Sequence, residues 1–518
     1  MILATLLACG QDVPTPPHAG EAVGDDPGAD GTGTVETYRR VLDPALPAPS
    51  EVTARVDVIV VGAGPAGLAA AAEAYEAGAS ILVLEREPTW GGAAVWAGGN
   101  MLFSGTPLQA EAGIEDSPAQ LLEEWPAFTG GDTTDPWVRA FAESNVAMVY
   151  DWLAARGLTW DEPNVDPSAG ITARVHTVDG GGSALVEAIG AGVPVGDVRW
   201  EAQMDDLLRR RDGRVAGVVF TDLATGEART ALADAVVVAT GGFMYDLARV
   251  REVRPELAGV DVRHASWPGA DGNGLALLEA SGAQTQNLGA VGLYAHGTPV
   301  PGESTDEMLV PFVGGVAWVN ANGARFVDES AVNSFQTGWT RAVQPDGLAW
   351  MIFDDETARD VTFTEAADPD ATWDLAALEA VGHAVVADDL AGLAAALEVD
   401  PDTVADEVAV FNAWARGEGP DPFRAADGAV APPIDAPPFH ALPLAVAAAK
   451  GFGGVEVDLT GRVLDTDGTP IEGLYAAGEL TGMAGGSLVG DYGFTGSLTA
   501  VVLSGRVAGA SAAAEGAR

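Results

Sequence analysis

Three glycines spaced Gly62-x-Gly64-x-x-Gly67, with an acid at Glu85, are the residues of this 518-residue chain best suited to hold a ligand. Each glycine has its own task in a dinucleotide site: Gly62 makes the tight turn, Gly64 lets a pyrophosphate reach the backbone, and Gly67 lets a helix lie close on a strand. Pro65 and Ala66 open that helix, whose first turn offers unpaired N–H groups and a positive dipole end to phosphate oxygens. Glu85, followed by Arg86, falls where an acidic side chain accepts hydrogen bonds from a ribose diol. Gly91-Gly92 and Gly98-Gly99 supply a glycine-rich loop that a flat ring can approach, and Thr240-Gly241-Gly242 supplies a second sharp turn. Gly478-Glu479 ends a strand in an acid, and Ser497-Leu498 begins a helix whose N-terminus favours negative charge. Lys450 is the single lysine among 26 basic residues. A compact ammonium shifts its pKa when buried, so it can serve as base, acid or charge partner where arginine cannot.

These residues need a particular scaffold. Val56, Val58, Ile59, Val60 and Val61 suit a parallel strand buried on both faces, and Ala66, Ala69, Ala70, Ala74 and Ala77 suit a helix laid against it. Ile81-Leu82-Val83-Leu84 is the next strand. A helical pattern runs from Ser117 to Gly157, and His176 precedes Gly180-Gly181-Gly182 and a helix from about Ser183; a loop histidine there either caps backbone or meets a ligand. Strands follow near Val215–Thr221 and Ala235–Ala239. Between about Ala290 and His440 the pattern changes to a strand at Val316–Asn320 and helices around Ala376–Leu397 and Thr403–Arg416, closed by Pro432-Pro433 and Pro437-Pro438. The expected class is α/β: a Rossmann-like dinucleotide-binding domain in two parts, 55–290 and 440–518, interrupted by an inserted α+β domain over 291–439.

With 75 Asp and Glu against 26 Lys and Arg, the formal net charge is -49, which disfavours nucleic acid and anionic membrane surfaces as partners. One cysteine, Cys9, excludes a disulfide framework, an iron–sulfur cluster and a Cys-x-x-Cys-His haem site. Leu6-Leu7-Ala8-Cys9-Gly10 resembles a bacterial lipoprotein processing site, with 1–9 as its signal. No Lys or Arg precedes the apolar run, which a start further upstream would explain. Residues 10–54, rich in Gly, Pro, Asp and Ala, read as a flexible tether, and the location implied is the cell envelope, with the cytoplasm as the alternative.

The opening fingerprint, Trp267-Pro-Gly-Ala-Asp-Gly-Asn-Gly, Ala295-His296-Gly-Thr298, Gly323-Ala-Arg325-Phe326-Val-Asp-Glu329 and Leu474-Tyr-Ala-Ala-Gly-Glu479 together resemble the flavoproteins of fumarate reductase and succinate dehydrogenase, a superfamily that includes 3-ketosteroid dehydrogenases. The likeness covers about Asp57 to Ala513. It implies that the two-part domain is a Rossmann-like FAD-binding domain and the inserted one its α+β capping domain, with FAD along the first strand and substrate between the cap and flavin N5. Covalent relatives attach flavin through a histidine in the glycine-rich loop; none stands between Gly91 and Met101, so non-covalent FAD is expected.

The same resemblance assigns substrate-handling positions one by one. The substrate-contacting histidine falls on His296, whereas a threonine falls on Met308 and the proton-relaying glutamate and arginine fall on Leu309 and Phe312. The catalytic arginine falls on Asn333, a second histidine on Lys450, and a last arginine near Tyr492. Fumarate needs cations at both carboxylates and a proton donor opposite N5, so a small dicarboxylate is disfavoured. Ketosteroid dehydrogenases bind the ketone oxygen with a tyrosine and a glycine spaced as Tyr492-Gly-Phe-Thr-Gly496, an arrangement that stabilises an enolate. Their catalytic base is a tyrosine whose slot here is again Asn333, and an amide cannot take that proton.

The expected function is hydride exchange between flavin and an apolar keto compound, by dehydrogenation of a CH–CH bond. Reduction of an activated C=C bond is the alternative, and a non-catalytic flavin-binding lipoprotein is the competitor from another class. An external electron donor or acceptor is required, since the chain has no haem or cluster of its own and no evident NAD(P)H site.

Overall fold

The computed structural model describes residues 38–42, 52–166, 169–301, 308–311, 316–330, 335–359, 361, 363–365, 372–424, 431–490 and 493–516. These form two compact units. One comprises the described residues of Leu247–Ser266 and Gly292–Ala449; the other comprises those up to Asp246, Trp267–Val291 and Lys450 onward. The inserted unit therefore takes in Leu247–Ser266 and runs ten residues past the expected return at 439. The reason is pairing: Val262–His264 lies parallel to Val446–Ala448 in a six-stranded sheet.

The larger unit is built on a nine-stranded sheet. Five strands are parallel, in the order Val198–Arg199, Ile81–Leu84, Val52–Val61, Glu227–Val238 and Pro470–Ala476. Val58, Ile59 and Val60 are completely buried, as a strand covered on both faces requires. The helix Pro65–Glu76 packs under the C-terminal helix Leu498–Gly516 with almost no gap: a Cβ at Gly505 would stand 2.2 Å from Ala66 O, and one at Gly509 2.2 Å from Ala70 O. Ala and Gly on both helices make that approach sterically feasible.

Glu227–Val238 is longer than expected because its first half pairs antiparallel with Val215–Asp222. The tether expected over 10–54 is shortened as well. Tyr38–Arg40 is an edge strand on Leu208–Arg210, and Val52 already belongs to the first parallel strand. Asp206, fully buried, takes hydrogen bonds from Arg40 Nε at 2.9 Å and from Val41 and Leu42 N at 3.0 Å, so this strand satisfies a charge that would otherwise be costly.

The single helix expected over Ser117–Gly157 is divided. Pro118–Thr129 ends at Gly130, which takes the left-handed conformation, and Asp135 caps a new helix, Pro136–Ser144, which continues through a π-helical turn at Asn145–Tyr150. In the inserted unit, Leu375–Ala380 and Leu390–Ala396 are likewise separate helices with a strand, Val385–Ala387, between them, and Pro401–Ala415 follows. That strand joins Ala317–Asn320, Ala349–Asp354 and Phe439–Pro443 in a four-stranded sheet whose apolar face packs on Leu393, Val404, Val408 and Phe411. The architecture is mixed α/β, with a Rossmann-like part and a β-rich inserted part.

Candidate active site

The parallel register places four strand ends in one row. Val61 pairs with Leu84 and Val238, and Val238 with Ala476, so the residues that follow, Gly62, Glu85, Ala239-Thr240-Gly241-Gly242 and Ala477-Gly478-Glu479, share the carboxyl edge of the sheet. That edge is where open parallel sheets bind ligands.

The glycines of the first turn divide into those the fold needs and those it does not. Gly62 has φ +98, and a Cβ there would meet Ala239 O at 2.5 Å; a Cβ on Gly67 would stand 1.8 Å from Gly62 O. Gly64 is different: a Cβ would find nothing nearer than Gly91 O at 3.9 Å, and one on Gly92 would find only Gly64 Cα at 3.8 Å. Gly92 takes a positive φ of +52, which favours glycine by itself, but neither packing nor a positive φ demands glycine at Gly64, where a bare backbone suits the close approach of a pyrophosphate. The helix cap at Gly64 has no side-chain partner, and Pro65 has no N–H to give, which leaves the first-turn amides of Ala66 and Gly67 for an anion. Gly241, at φ +81, also has open space where a Cβ would point.

Glu85 is buried, and its two oxygens accept separately, from Ala63 N at 2.6 Å and Glu87 N at 2.8 Å. Burial raises its pKa above the ordinary carboxylate value, against the pull of those two amides. One lone pair on each oxygen remains for a diol. Arg86, the next residue, directs Nη1 to Asp271 Oδ2 at 2.6 Å and so ties the strand end to the Trp267–Gly272 loop. Sequence reading passed over Asp271 as a single residue, although it lies in a motif that carried the family resemblance.

The glycine-rich loop is anchored from below. Gly91 N bonds Ala63 O at 2.9 Å, Gly99 packs on Gly181, and a Cβ on Gly182 would stand 1.8 Å from Ala94 O; Gly98, between them, is partly exposed. Asn100–Leu102 then pairs with Val175–Thr177, while Met101 bridges Ser497 and Leu102 N donates to Gly496 O at 3.1 Å. Gly496, at φ +92 with Leu102 N 2.4 Å from where a Cβ would lie, must be glycine. Leu498 is the first residue of the C-terminal helix.

His176 belongs to the scaffold. Its Nδ1 lies 2.8 Å from Arg174 O, an acceptor, so Nδ1 carries the proton and Nε2 accepts from Thr106 Oγ1 at 2.8 Å. Burial pushes its pKa down to about 4. It is neutral, occupied on both sides and fully buried. Asn145, which sequence reading missed, does related work from the π-helical turn: Oδ1 accepts from Ser104 N at 3.0 Å, and Nδ2 donates to Phe141 O and Ala142 O. The π-turn itself, which no one-residue signal announces, aims that amide at the loop.

At the far end of the row Glu479 Oε1 accepts from Gly451 N at 2.8 Å, with Lys450 adjacent. Of the substrate-facing residues expected from sequence, His296 falls in the strand Val291–Pro299, and Asn333 and Tyr492 lie outside the described residues, as does Cys9.

A row of strand ends, an uncapped helix start and glycines without a packing reason fit a dinucleotide. A family model for the FAD binding domain matches residues 57–490. The chain belongs to the fumarate reductase/succinate dehydrogenase flavoprotein superfamily. This flavoprotein is 30% identical to an NADH:fumarate oxidoreductase of Klebsiella pneumoniae over 88% of its length, and spans about half (47%) of that protein. It is 30% identical to a urocanate reductase of Eggerthella lenta over 95% of its length, covering 80% of the relative. A solved 3-ketosteroid-delta4-(5alpha)-dehydrogenase of Rhodococcus jostii superposes with a TM-score of 0.70 at 26% identity, over 90% of this chain and 98% of that one. The flavoprotein is an FAD-dependent oxidoreductase, and its FAD is held non-covalently. Among the described residues no helix is long and apolar enough to cross a membrane, and no group of three or more His, Cys, Asp or Glu is placed to hold a metal ion.

Proposed function

We propose that this flavoprotein reduces an activated C=C bond in a substrate other than fumarate: an acrylate-type acid with a single carboxylate and an apolar or aromatic substituent. The observation that carries this reading is the likeness to a urocanate reductase over 95% of the chain, joined to the residues at the family's substrate positions. Dehydrogenation of a keto compound, the first expectation from sequence, has the weaker support, because the likeness to a steroid dehydrogenase-like protein extends over 84% of the chain against 95% for the urocanate reductase.

When bound, FAD supplies the hydride from N5. The chain supplies the rest. Met308, Leu309 and Phe312 stand where the family has a threonine and the proton-relaying glutamate and arginine, and none of the three offers a cation or a proton to a second carboxylate, which favours a substrate with an apolar end. Of the family's substrate positions, Lys450 and His296 keep side-chain types that can bond a carboxylate or carry a proton. The ketosteroid reading keeps one specific support, the Tyr492 and Gly496 spacing, with Gly496 anchored on Leu102. An external donor replenishes the flavin, and a lipid on Cys9 would keep the enzyme at a membrane surface; a diacylglyceryl mass on the purified protein tests the latter.

The test is anaerobic. The flavin-loaded protein is photoreduced and mixed with cinnamate- and urocanate-type acrylates, fumarate, simple enones and unsaturated ketosteroids, and the return of the oxidised flavin band is timed. Acrylates are expected to reoxidise it at least tenfold faster than fumarate. Fumarate as the fastest oxidant refutes the single-carboxylate assignment, and a response to ketosteroids alone transfers the site to the dehydrogenase reading.

A further inference from the structure

The carboxyl edge of the sheet carries an acid at each end, and the two are held differently. Glu85 spends one lone pair of each oxygen on the amides of Ala63 and Glu87. Among the described residues Glu479 has a single amide partner, Gly451 N at 2.8 Å, on Oε1. Its carboxylate lies flat on the Thr240–Gly242 turn, where a Cβ added to Gly242 would come within 2.6 Å of Oε1 and 2.7 Å of the carboxyl carbon. Gly478 beside it packs on Ala66 and donates its N–H to Ser504 Oγ at 3.0 Å, and Met244 lies next to Gly451. None of those neighbours titrates. The charged group among the described residues whose field reaches Glu479 is Lys450, on the strand end that also carries Gly451. Burial, the largest influence, pushes the carboxyl up to about 7, while Gly451 N–H and Lys450 pull it down.

A single ammonium balances one negative charge, that of the carboxylate, and leaves nothing to balance a second. Electrons that arrive nearby add a second negative charge beside this partly buried carboxylate, and the cheapest response is to protonate the acid. We propose that Glu479 and Lys450 are the proton store of this redox site: Glu479 is ionised and paired with Lys450 while the flavin is oxidised, and takes one proton from solvent when two electrons enter. Reoxidation returns that proton. The inference rests on FAD lying along this edge and adds a task for two residues of the chain itself.

The experiment uses flavin-loaded full-length protein, reduced with dithionite in weak buffer with a pH indicator, so that protons taken up per two electrons are counted from about pH 6 to about pH 9. Wild type is expected to take up additional protons, approaching one per flavin, in a window around and above neutrality, with a protonated-carboxyl band in the reduced-minus-oxidised infrared spectrum. Glu479→Gln should lack both the additional uptake and the band. Lys450→Met removes the cation that holds Glu479 ionised, so its window should move to higher pH; this variant decides the matter if Glu479→Gln does not retain flavin. The same uptake curve in all flavin-bearing proteins overturns the pair while leaving the FAD site intact. A wild-type protein that takes up no flavin overturns the FAD reading itself, a distinguishable result.

Discussion

Buried carboxylates serve opposite ends in the two units. In the inserted unit Arg325, Glu329, Asp421 and Arg424 are all buried and satisfy one another: Arg325 Nε to Glu329 at 2.7 Å, Arg325 Nη1 to Asp421 at 2.6 Å, and Arg424 Nη2 to Glu329 at 3.0 Å. Phe411 underlies both guanidinium groups. Burial pushes the Asp421 carboxyl up, but Arg325 and the amides of Phe423 and Arg424 outweigh it and hold the pKa below the ordinary value. In the flavin unit Glu85 and Glu479 have amides rather than arginines as hydrogen-bond partners, and burial wins, so both sit above the ordinary value. An acid closed on arginines is scaffold, whereas one met by a few amides keeps lone pairs and a labile proton for a ligand.

The largest break in that contrast comes from opening the closed cluster. Arg325→Met leaves Glu329 and Asp421 with a single guanidinium between them in a dry core, and removal of one partner of such a pair costs about 3–5 kcal/mol. The expected result is an early thermal transition by far-UV circular dichroism. Flavin stays bound until the main transition, because the FAD turns belong to the other compact unit. Flavin loss that coincides with the early transition would mean that the cluster supports the cofactor site as well.

A second test lies within the flavin unit. His176 carries a folded pKa of about 4, below the 6.5 of the unfolded residue, so the unfolded chain binds the proton more tightly. Its contribution is therefore complete above about 6.5 and is lost as pH falls toward 4, on the order of a few kcal/mol in all. Urea midpoints for wild type and His176→Gln should converge across that window. A constant gap from pH 7 to pH 4 would contradict the assignment of His176 as a neutral strut between Arg174 and Thr106.

How much of this was legible in the sequence follows from range. The strand, turn and helix from Val56 to Ala77 were readable because each signal is local: β-branched residues for a doubly covered strand, glycines for a turn, alanines for close packing. The break at Gly130 carried its own marks, a left-handed glycine and an Asp135-Pro136 start, but the apolar face repeats at helical spacing on both sides and hides it. The transfer of Leu247–Ser266 to the inserted unit was not readable, since Val262–His264 finds its partner far downstream at Val446–Ala448. The Arg325–Glu329 motif signalled the family, yet only the fold shows that Asp421 and Arg424 close it.

A smaller effect is expected at Glu85. Glu85→Gln keeps an acceptor for one of the two amides and forfeits the charge-assisted bonds to a ribose diol, so FAD should bind about tenfold more weakly, roughly 1.4 kcal/mol. Equilibrium dialysis of apo-protein with FAD, well below the melting transition, measures this; the apo melting temperature falls as well, because one of the two amides loses its acceptor. Unchanged FAD affinity would leave Glu85 as a brace for Ala63 and Glu87 alone.

The smallest effect has the most informative sign. Glu479 binds its proton more tightly folded than unfolded, so its contribution to the apo-protein is complete below the unfolded value of 4.5 and is lost as pH rises through about 7. Above that, the ionised carboxylate is a cost, and it retains some accessible surface, so the cost is modest, on the order of 1 kcal/mol. Glutamine has no charge to bury and still offers a carbonyl oxygen to Gly451 N–H. Glu479→Gln should therefore raise the apo melting temperature by about 2 °C at pH 8 and leave it unchanged at pH 5. Glu329→Gln, which removes a negative charge from between two guanidinium groups, should lower it at both. If the two substitutions moved stability in the same direction at pH 8, the division between acids closed on arginines and acids met by amides would not hold.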